Sequence, residues 1–280
     1  MPELPEVETM RRGILPICGG RVEDAFRFPC RKKPIAIRPG IRQLQQRVRG
    51  HTITAVERVG KRVVLVFDDG QRLVFEPRMT GLVLLEEPPT RGHLRFGIRL
   101  IDDDGRSREL RFWDRRGLGQ VALYWKDEFL VRFAERIGPD ALQVTVAGLR
   151  ARFADSPSPI KVALLDQKRL AGVGNLYASE ILNRAGIDPR VPCQDLNPRQ
   201  WQAVHRELRK VLLAAIRFEG STLADGTYRN ALNQAGAYQN HHRVYDRAGA
   251  PCRTCRRGIV LRIVQAQRAT FYCPFCQTRC

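Results

Sequence analysis

Four cysteines near the C-terminus carry the clearest chemistry in this 280-residue chain. Cys252 and Cys255 form one Cys-x2-Cys pair, Cys273 and Cys276 form another, and 17 residues separate Cys255 from Cys273. Four thiolates at this spacing suit a tetrahedral zinc ion. Four sulfur ligands leave no open position for catalysis, so the metal is expected to be structural. The residues from Gly258 to Val264 and from Ala269 to Tyr272 are strand-like, with residues 265–268 as the turn. A hairpin clamped by metal at its ends is a zinc ribbon, and Arg268 stands at its turn. The other cysteines, Cys18, Cys30, Cys193 and Cys280, show no spacing pattern.

A second chemistry lies at the other end, in Met1-Pro2-Glu3-Leu4-Pro5-Glu6-Val7-Glu8. Two prolines set φ before a helix, and glutamates fill its first turn, where the helix dipole favours negative charge. Val7, Met10 and Ile14 recur at helical spacing and predict one buried stripe. That describes a well-capped terminal helix. If Met1 is removed, Pro2 also becomes a free secondary amine. An α-amino group has a pKa near ~8, so an uncharged nucleophilic fraction exists at neutral pH. Such an amine forms a Schiff base with a sugar aldehyde, whereas with Met1 attached the same nitrogen is an inert amide.

Weaker signals lie between these ends. Gly172-Val173-Gly174-Asn175 precedes a helix, where backbone N–H groups can meet a phosphate, although many plain turns look the same. Lys61 follows Gly60 at the start of a strand, an ordinary place for a solvated lysine. Arg115-Arg116-Gly117-Leu118-Gly119 reads either as a solvated turn or as a basic finger with an apolar neighbour, of the kind that wedges a duplex apart. Met79 would by default be a core residue.

The elements that must position these residues fall into blocks. Residues 21–126 read as β-structure. Arg62 to Phe67 and Arg72 to Phe75 flank the turn Asp68-Asp69-Gly70, and Leu94 to Leu100, Glu109 to Trp113 and Val121 to Trp125 complete the set. Short strands at this spacing predict an antiparallel sandwich or barrel, with the N-terminal helix packed on it. The period turns helical near Phe129. Ile160 to Leu165, Asn175 to Arg184 and a long helix from Pro198 are expected, the last with an apolar stripe of Trp201, Val204, Leu208, Val211 and Ala215. Residues 219–245 have no clear period, and a loop this long is functional or disordered. The expected class is therefore α+β and multi-domain: a β-sandwich domain over 1–128, an all-α domain over 129–244 that includes the loop, and a zinc hairpin over 245–280.

Composition narrows the partners. The net charge is +19, from 48 basic and 29 acidic residues, and 41 of the basic residues are arginine. Such an excess implies a polyanion, most often nucleic acid, and no basic amphipathic anchor points to a membrane surface. The longest apolar run is the six residues Val211 to Ile216, too short to span a bilayer, and the acidic start is unlike a signal peptide. A cytosolic protein is the default expectation.

Together the motifs resemble one family. Residues 1–9 followed by Arg11-Arg12-Gly13 are similar to the start of bacterial formamidopyrimidine-DNA glycosylases. Gly172 to Glu180 resembles that family's Gly-Val-Gly-Asn-x-Tyr-Ala-Ser-Glu, and Gln267 to Cys273 resembles its ending Gln-Arg-Ala-Thr-Phe-Tyr-Cys. The likeness runs end to end in the same order. It implies an N-terminal helix with a β-sandwich, a helix–two-turns–helix domain and a C-terminal zinc finger. It also implies excision of oxidised purines such as 8-oxoguanine from double-stranded DNA, with strand nicking, by a monomer carrying one structural zinc. By the same resemblance Pro2 is the nucleophile and Glu3 its acid/base partner. Lys61 contacts phosphate and assists β-elimination, and Arg268 does so for δ-elimination. Asn175 binds phosphate, with Lys161 nearby. Met79, Arg116 and Leu118 fill the gap left by the flipped base, Arg91 keeps positive charge near the opposite strand, and the 219–245 loop closes over the base.

This chain departs from the pattern at three places. Glu76-Pro77-Arg78-Met79-Thr80-Gly81 stands where the family has His-x-Gly-Met-Ser-Gly, Leu118 replaces an aromatic wedge, and Ser156 occupies a position that is usually basic. If Glu76 takes the histidine's place it is expected near Glu3, and paired carboxylates resist double ionisation. Two rival readings are a sister endonuclease VIII-type enzyme for oxidised pyrimidines, whose start usually lacks Leu4, and a catalytically silent damaged-DNA binder.

Overall fold

The computed structural model describes residues 2–134, 136–223 and 226–278. Packing groups the chain into two compact units, residues 1–135 with 218–239 and residues 136–217 with 240–280. The grouping assigns 218–239 to the β-rich unit and the cysteine hairpin to the helical one. The three-way division at 128/129 and 244/245 stays an expectation from sequence.

The first unit is a sandwich of two sheets. Its strands are β1 (Arg21–Arg27), β2 (Ala36–Arg38), β3 (Ile53–Val59), β4 (Arg62–Phe67), β5 (Arg72–Glu76), β6 (Gly81–Leu84), β7 (Leu94–Ile101), β8 (Ser107–Asp114) and β9 (Gln120–Tyr124). One sheet runs β1-β7-β8-β6 and the other β2-β9-β5-β4-β3. Neighbours are antiparallel except β2, which runs parallel to β9. The inner faces meet through Phe75, whose ring lies 5.9 Å from Phe96 and 5.7 Å from Phe112.

Helix α1 (Leu4–Gly13) packs on β3, β4 and β6, and its expected stripe of Val7, Met10 and Ile14 is wholly buried in the sandwich core. Short α2 (Ile41–Val48), inside the stretch expected to be β, buries only Leu44 and Val48. Helix α3 (Lys126–Ala134) ends the unit's first segment.

Segment 218–239 lies on α1. Ala231 and Tyr228 join the sandwich core, and a Cβ on Gly13 would fall 2.4 Å from that of Ala231. The described part of the expected loop is thus packed coil, held by Ala237 N to Phe218 O and Tyr238 N to Gly220 O, both 2.9 Å. Residues 224 and 225 lie outside the description.

The second unit holds α4 (Val146–Phe153), α5 (Ile160–Ala163), α6 (Asn175–Ala185) and α7 (Pro198–Arg217), then the hairpin β10 (Leu261–Gln265) and β11 (Arg268–Tyr272). Every member of the expected α7 stripe is buried, and Trp201 stacks on Phe153 at 6.2 Å between centroids. Among the described residues no helix is long and apolar enough to cross a membrane.

Candidate active site and metal centre

The N-terminal residues are fixed rather than loose. Pro2 and Glu3 are both buried. Glu3 is the N-cap of α1, and Glu6 supplies the reciprocal half of a capping box: Glu3 N donates to Glu6 Oε2 at 2.9 Å. The other oxygen, Glu6 Oε1, accepts from Ser221 N at 2.9 Å. One carboxylate therefore ties the start of the chain to segment 218–239. Gly220 allows this approach, because its φ is +80° and a Cβ there would meet Glu6 atoms at 2.9 Å.

One turn further on, Glu8 gathers Arg11 (2.9 Å), Arg12 (2.8 Å) and, from β3, Arg58 (3.1 Å). Burial pushes its carboxyl up, but hydrogen bonds from Arg11 and Arg12 and the charges of Arg11 and Arg58 outweigh that and lower it to about 2. Arg58 also donates to Gly60 O at 3.0 Å, at the two-residue turn that carries Lys61 between β3 and β4. The turn is thereby linked through Arg58 and Glu8 to α1.

The three wedge candidates sit on two loops laced together. Met79 is 38% and Leu118 45% exposed, so Met79 is not the core residue its type suggests. Arg116 is exposed as well. Beneath them Thr80 Oγ1 donates to buried Asp114 Oδ1 and accepts from Arg116 N at 3.0 Å, while Asp114 Oδ2 accepts from Gly119 N at 2.7 Å. Arg95, itself buried, donates to the Asp114 carbonyl at 2.8 Å. Arg91, on the turn before β7, is exposed and pairs with Glu87 at 3.3 Å.

Glu76 is held by partners of its own at the end of the sheet. Glu76 ends β5 directly opposite Gln120 on β9, which donates to its Oε2. Its Oε1 is 2.8 Å from Arg62 Nη2 and 3.3 Å from Arg78 Nε. Two guanidiniums are its ion-pair partners.

The phosphate candidates of the second unit are brought together. Lys161 is fully buried and donates to Asn175 Oδ1 at 2.6 Å. Asn175, the first residue of α6, donates in turn to Ala269 O at 2.9 Å. That carbonyl is next to exposed Arg268, so the hairpin is pinned at its turn to the α6 N-terminus. The turn is tight: Gln265 pairs with Arg268, and the intervening Ala266 and Gln267 both have positive φ, the two-residue form that matches strand twist. Ser156 is buried.

The four sulfur atoms of Cys252, Cys255, Cys273 and Cys276 lie within 4.8 Å of one another and could hold a metal ion. Cys252 and Cys276 are 3.8 Å apart, and Cys255 and Cys273 3.7 Å. A tetrahedron with metal–sulfur bonds of ~2.3 Å has edges of roughly 3.8 Å, so the donor set fits. Thr254 N and Gly258 N each point at a sulfur from 3.4 Å. Gly258 has to be glycine, since a Cβ would lie 2.5 Å from Cys273 Sγ. Behind the ligands, Asn183 of α6 donates to Gln277 Oε1 at 2.9 Å and accepts from Thr254 Oγ1 at 2.5 Å. Glu180, one turn earlier and fully buried, accepts from the N–H groups of Arg243, Val244 and Tyr245 at 2.8–3.0 Å.

Glu6, Thr80, Asp114, Asn183 and Glu180 were not singled out from sequence. Glu3-x-x-Glu6 has capping-box spacing, and Asp114 shortly before Gly117 has turn chemistry. The partners of Asn183 and Glu180 lie more than 60 residues away and leave no local signal.

Comparison with known proteins agrees with this geometry. The formamidopyrimidine-DNA glycosylase N-terminal domain model matches residues 1–121, and the formamidopyrimidine-DNA glycosylase H2TH domain model matches residues 137–226. A formamidopyrimidine-DNA glycosylase of Chloroflexus aggregans is 40% identical, covering 99% of this chain and 98% of that protein. The crystal structure of the MutM (Fpg) protein from Thermus thermophilus has a TM-score of 0.84 at 35% identity, covering 99% of this chain and 98% of that one. A Lactococcus lactis Fpg mutant in complex with Fapy-dG-containing DNA gives 0.87 at 30% identity, over 99% and 100%. On matches that together span most of its length, this chain belongs to the formamidopyrimidine-DNA glycosylase family.

Proposed function

We propose that this glycosylase removes oxidised purines from duplex DNA in base excision repair and then cleaves the strand, with the Pro2 amine as nucleophile. The lesion base must first leave the stack, at a cost of a few kcal/mol, roughly, and Met79, Arg116 and Leu118 offset that cost by filling the gap. The Pro2 nitrogen attacks C1′ of the flipped nucleotide. The base departs with the glycosidic electron pair and takes up a proton. Loss of the amine proton and opening of the sugar ring, whose oxygen is protonated, leave an iminium. Glu3, beside Pro2, serves these proton transfers. The iminium acidifies the C2′ hydrogen, and elimination of the 3′ and then the 5′ phosphate cuts the strand. Lys61 and Arg268 neutralise the departing phosphates, and Asn175 holds a neighbouring one. The four cysteines take one zinc, which when bound supplies a fixed cross-link that keeps the hairpin folded.

The observation that supports this reading best is the double attachment of Glu6, to Glu3 N and to Ser221 N, which holds a buried Pro2-Glu3 in one position. A nucleophile gains from such fixation because proximity and orientation lower the barrier. Borohydride reduction on duplex carrying 8-oxoguanine opposite cytosine tests it. Protein whose mass shows loss of Met1 should be trapped covalently through Pro2, and protein that retains Met1 should not. Equal strand cleavage by the Met1-retaining form would remove Pro2 from the mechanism.

A further inference from the structure

The second unit has a pocket that none of the roles above uses. It has a volume of about 510 Å³ beside the cysteine centre and is lined by Arg243, Arg247, Arg253 and Arg256, with Asn240 and His241. Of the four cysteines only Cys252 reaches it.

The arginines are held by neutral acceptors. Arg253 Nη1 donates to the carbonyls of Asn240 and His242 at 2.8 and 3.0 Å, Arg247 Nη2 to that of Pro251 at 3.2 Å, and Arg243 Nη1 to Thr254 Oγ1 at 3.3 Å. Each bond uses part of a guanidinium fork and leaves donors over. Arg247 Nε is buried with no hydrogen-bond partner among the described residues. The counter-charges nearby are committed elsewhere. Glu180 spends its oxygens on the N–H groups of residues 243–245, and the four cysteine sulfurs cluster around a position of their own that could hold a metal ion. Burial and the charge of Arg253 lower the Arg247 pKa, and Glu180 and Cys252 offset this only in part.

Several guanidiniums around one concavity, with unspent donors, match an anion with several acceptor oxygens. The volume admits a phosphate group with part of the nucleotide that carries it. We propose that this pocket is a phosphate-binding site of the cysteine module, separate from Lys61, Asn175 and Arg268. The phosphate is either a diester of a nucleic-acid strand or a free polyanion such as pyrophosphate.

Both sources can be tested on the full-length, metal-loaded protein with Arg253→Gln/Arg256→Gln. These side chains are exposed, so the fold should survive, and unchanged metal content and melting temperature check this. In the first arm, pyrophosphate is titrated by calorimetry, and the double variant should bind at least ten-fold more weakly. In the second, affinity for undamaged duplex is measured against salt. Each lost phosphate contact lowers the slope of log K on log salt by about 0.9. A response in the first arm alone assigns a free anion, and a response in the second assigns a strand phosphate; either upholds the site. Arg253→Lys/Arg256→Lys, which keeps charge but loses the fork, should recover part of the loss. If pyrophosphate affinity and salt slope both equal the wild type in the glutamine variant, the pocket is not an anion site.

Discussion

Thr80 and Asp114 decide where the wedge candidates can point, because one hydroxyl and one carboxylate tie the Met79 loop to the loop carrying Arg116 and Leu118. Arg116 has its backbone fixed and its side chain free in solvent, as a residue that enters a duplex and reads the widowed base requires. A guanidinium against cytosine is worth about 1–3 kcal/mol over the wrong base. Excision of 8-oxoguanine opposite C should therefore be roughly ten-fold or more faster than opposite A, in line with that difference. Single-turnover kinetics of Arg116→Ala should show the two rates converging, and a surviving ratio would assign the reading to another residue. Glu76 works on charge through its ion pairs. It pairs with Arg62 and Arg78, so it restrains positive charge next to Met79. Glu76→Gln should free Arg78 and tighten non-specific DNA binding, with a salt slope steeper by up to about 0.9. Fluorescence anisotropy at several salt concentrations reads this directly, and weaker binding would mean that Glu76 mainly holds the sheet end in place.

At the scale of elements, the cysteine centre, α6 and the hairpin depend on one another. Asn183 and Gln277 connect α6 to the ligand loops, and Asn175 connects its other end to the hairpin turn. Chelation should then do more than free four thiols. Because metal binding and folding are coupled in small sites, amide protection of β10 and β11 should be lost while α7, buried on its own stripe, keeps its protection. DNA affinity should fall as Arg268 loses its mounting. Cys273→Ser should behave alike, and Asn183→Leu should weaken metal binding by about 10–100-fold. Hydrogen exchange of metal-free protein that leaves β10 and β11 protected would break the link. Elements like these were legible where period or ligand spacing is local. The cysteine pairs, the α7 stripe and the strands around Asp68-Asp69-Gly70 all announce themselves within one short stretch of chain. By contrast α2 buries only two side chains within a β-rich stretch, and the coil of 218–239 gains its order from α1. Pro2, Lys61 and Arg268 are legible as motif positions, but some of the supports beneath them, such as Glu6 to Ser221 and Asn175 to Ala269, are tertiary contacts that no window of sequence contains.

Across the whole molecule the two units carry different acid-sensitive groups. In the helical unit His242 is buried, and desolvation, then the charges of Arg253, His241 and Arg247, lower its pKa to about 4. The unfolded chain takes up this proton near the ordinary value of ~6.5. Between pH 6.5 and about 4 the unfolded state therefore binds more protons, and stability falls as pH falls. In the sandwich unit the corresponding group is Glu8, whose pKa drops from 4.5 to about 2. Its ion pairs contribute fully above pH 4.5 and are lost as pH falls toward 2. Both shifts are large enough to weigh against the small net stability of a domain. Acid should accordingly act in two stages: amide protection in residues 136–217 and 240–278 weakens first, from pH 6.5 downward, and protection in the sandwich follows only below pH 4.5. His242→Phe should flatten the first stage and leave the second. Glu8→Gln should lower stability at neutral pH while flattening the second. A single transition, with both units losing protection at one pH in the wild type and in both variants, would show that the units unfold as one and that neither group sets the acid limit.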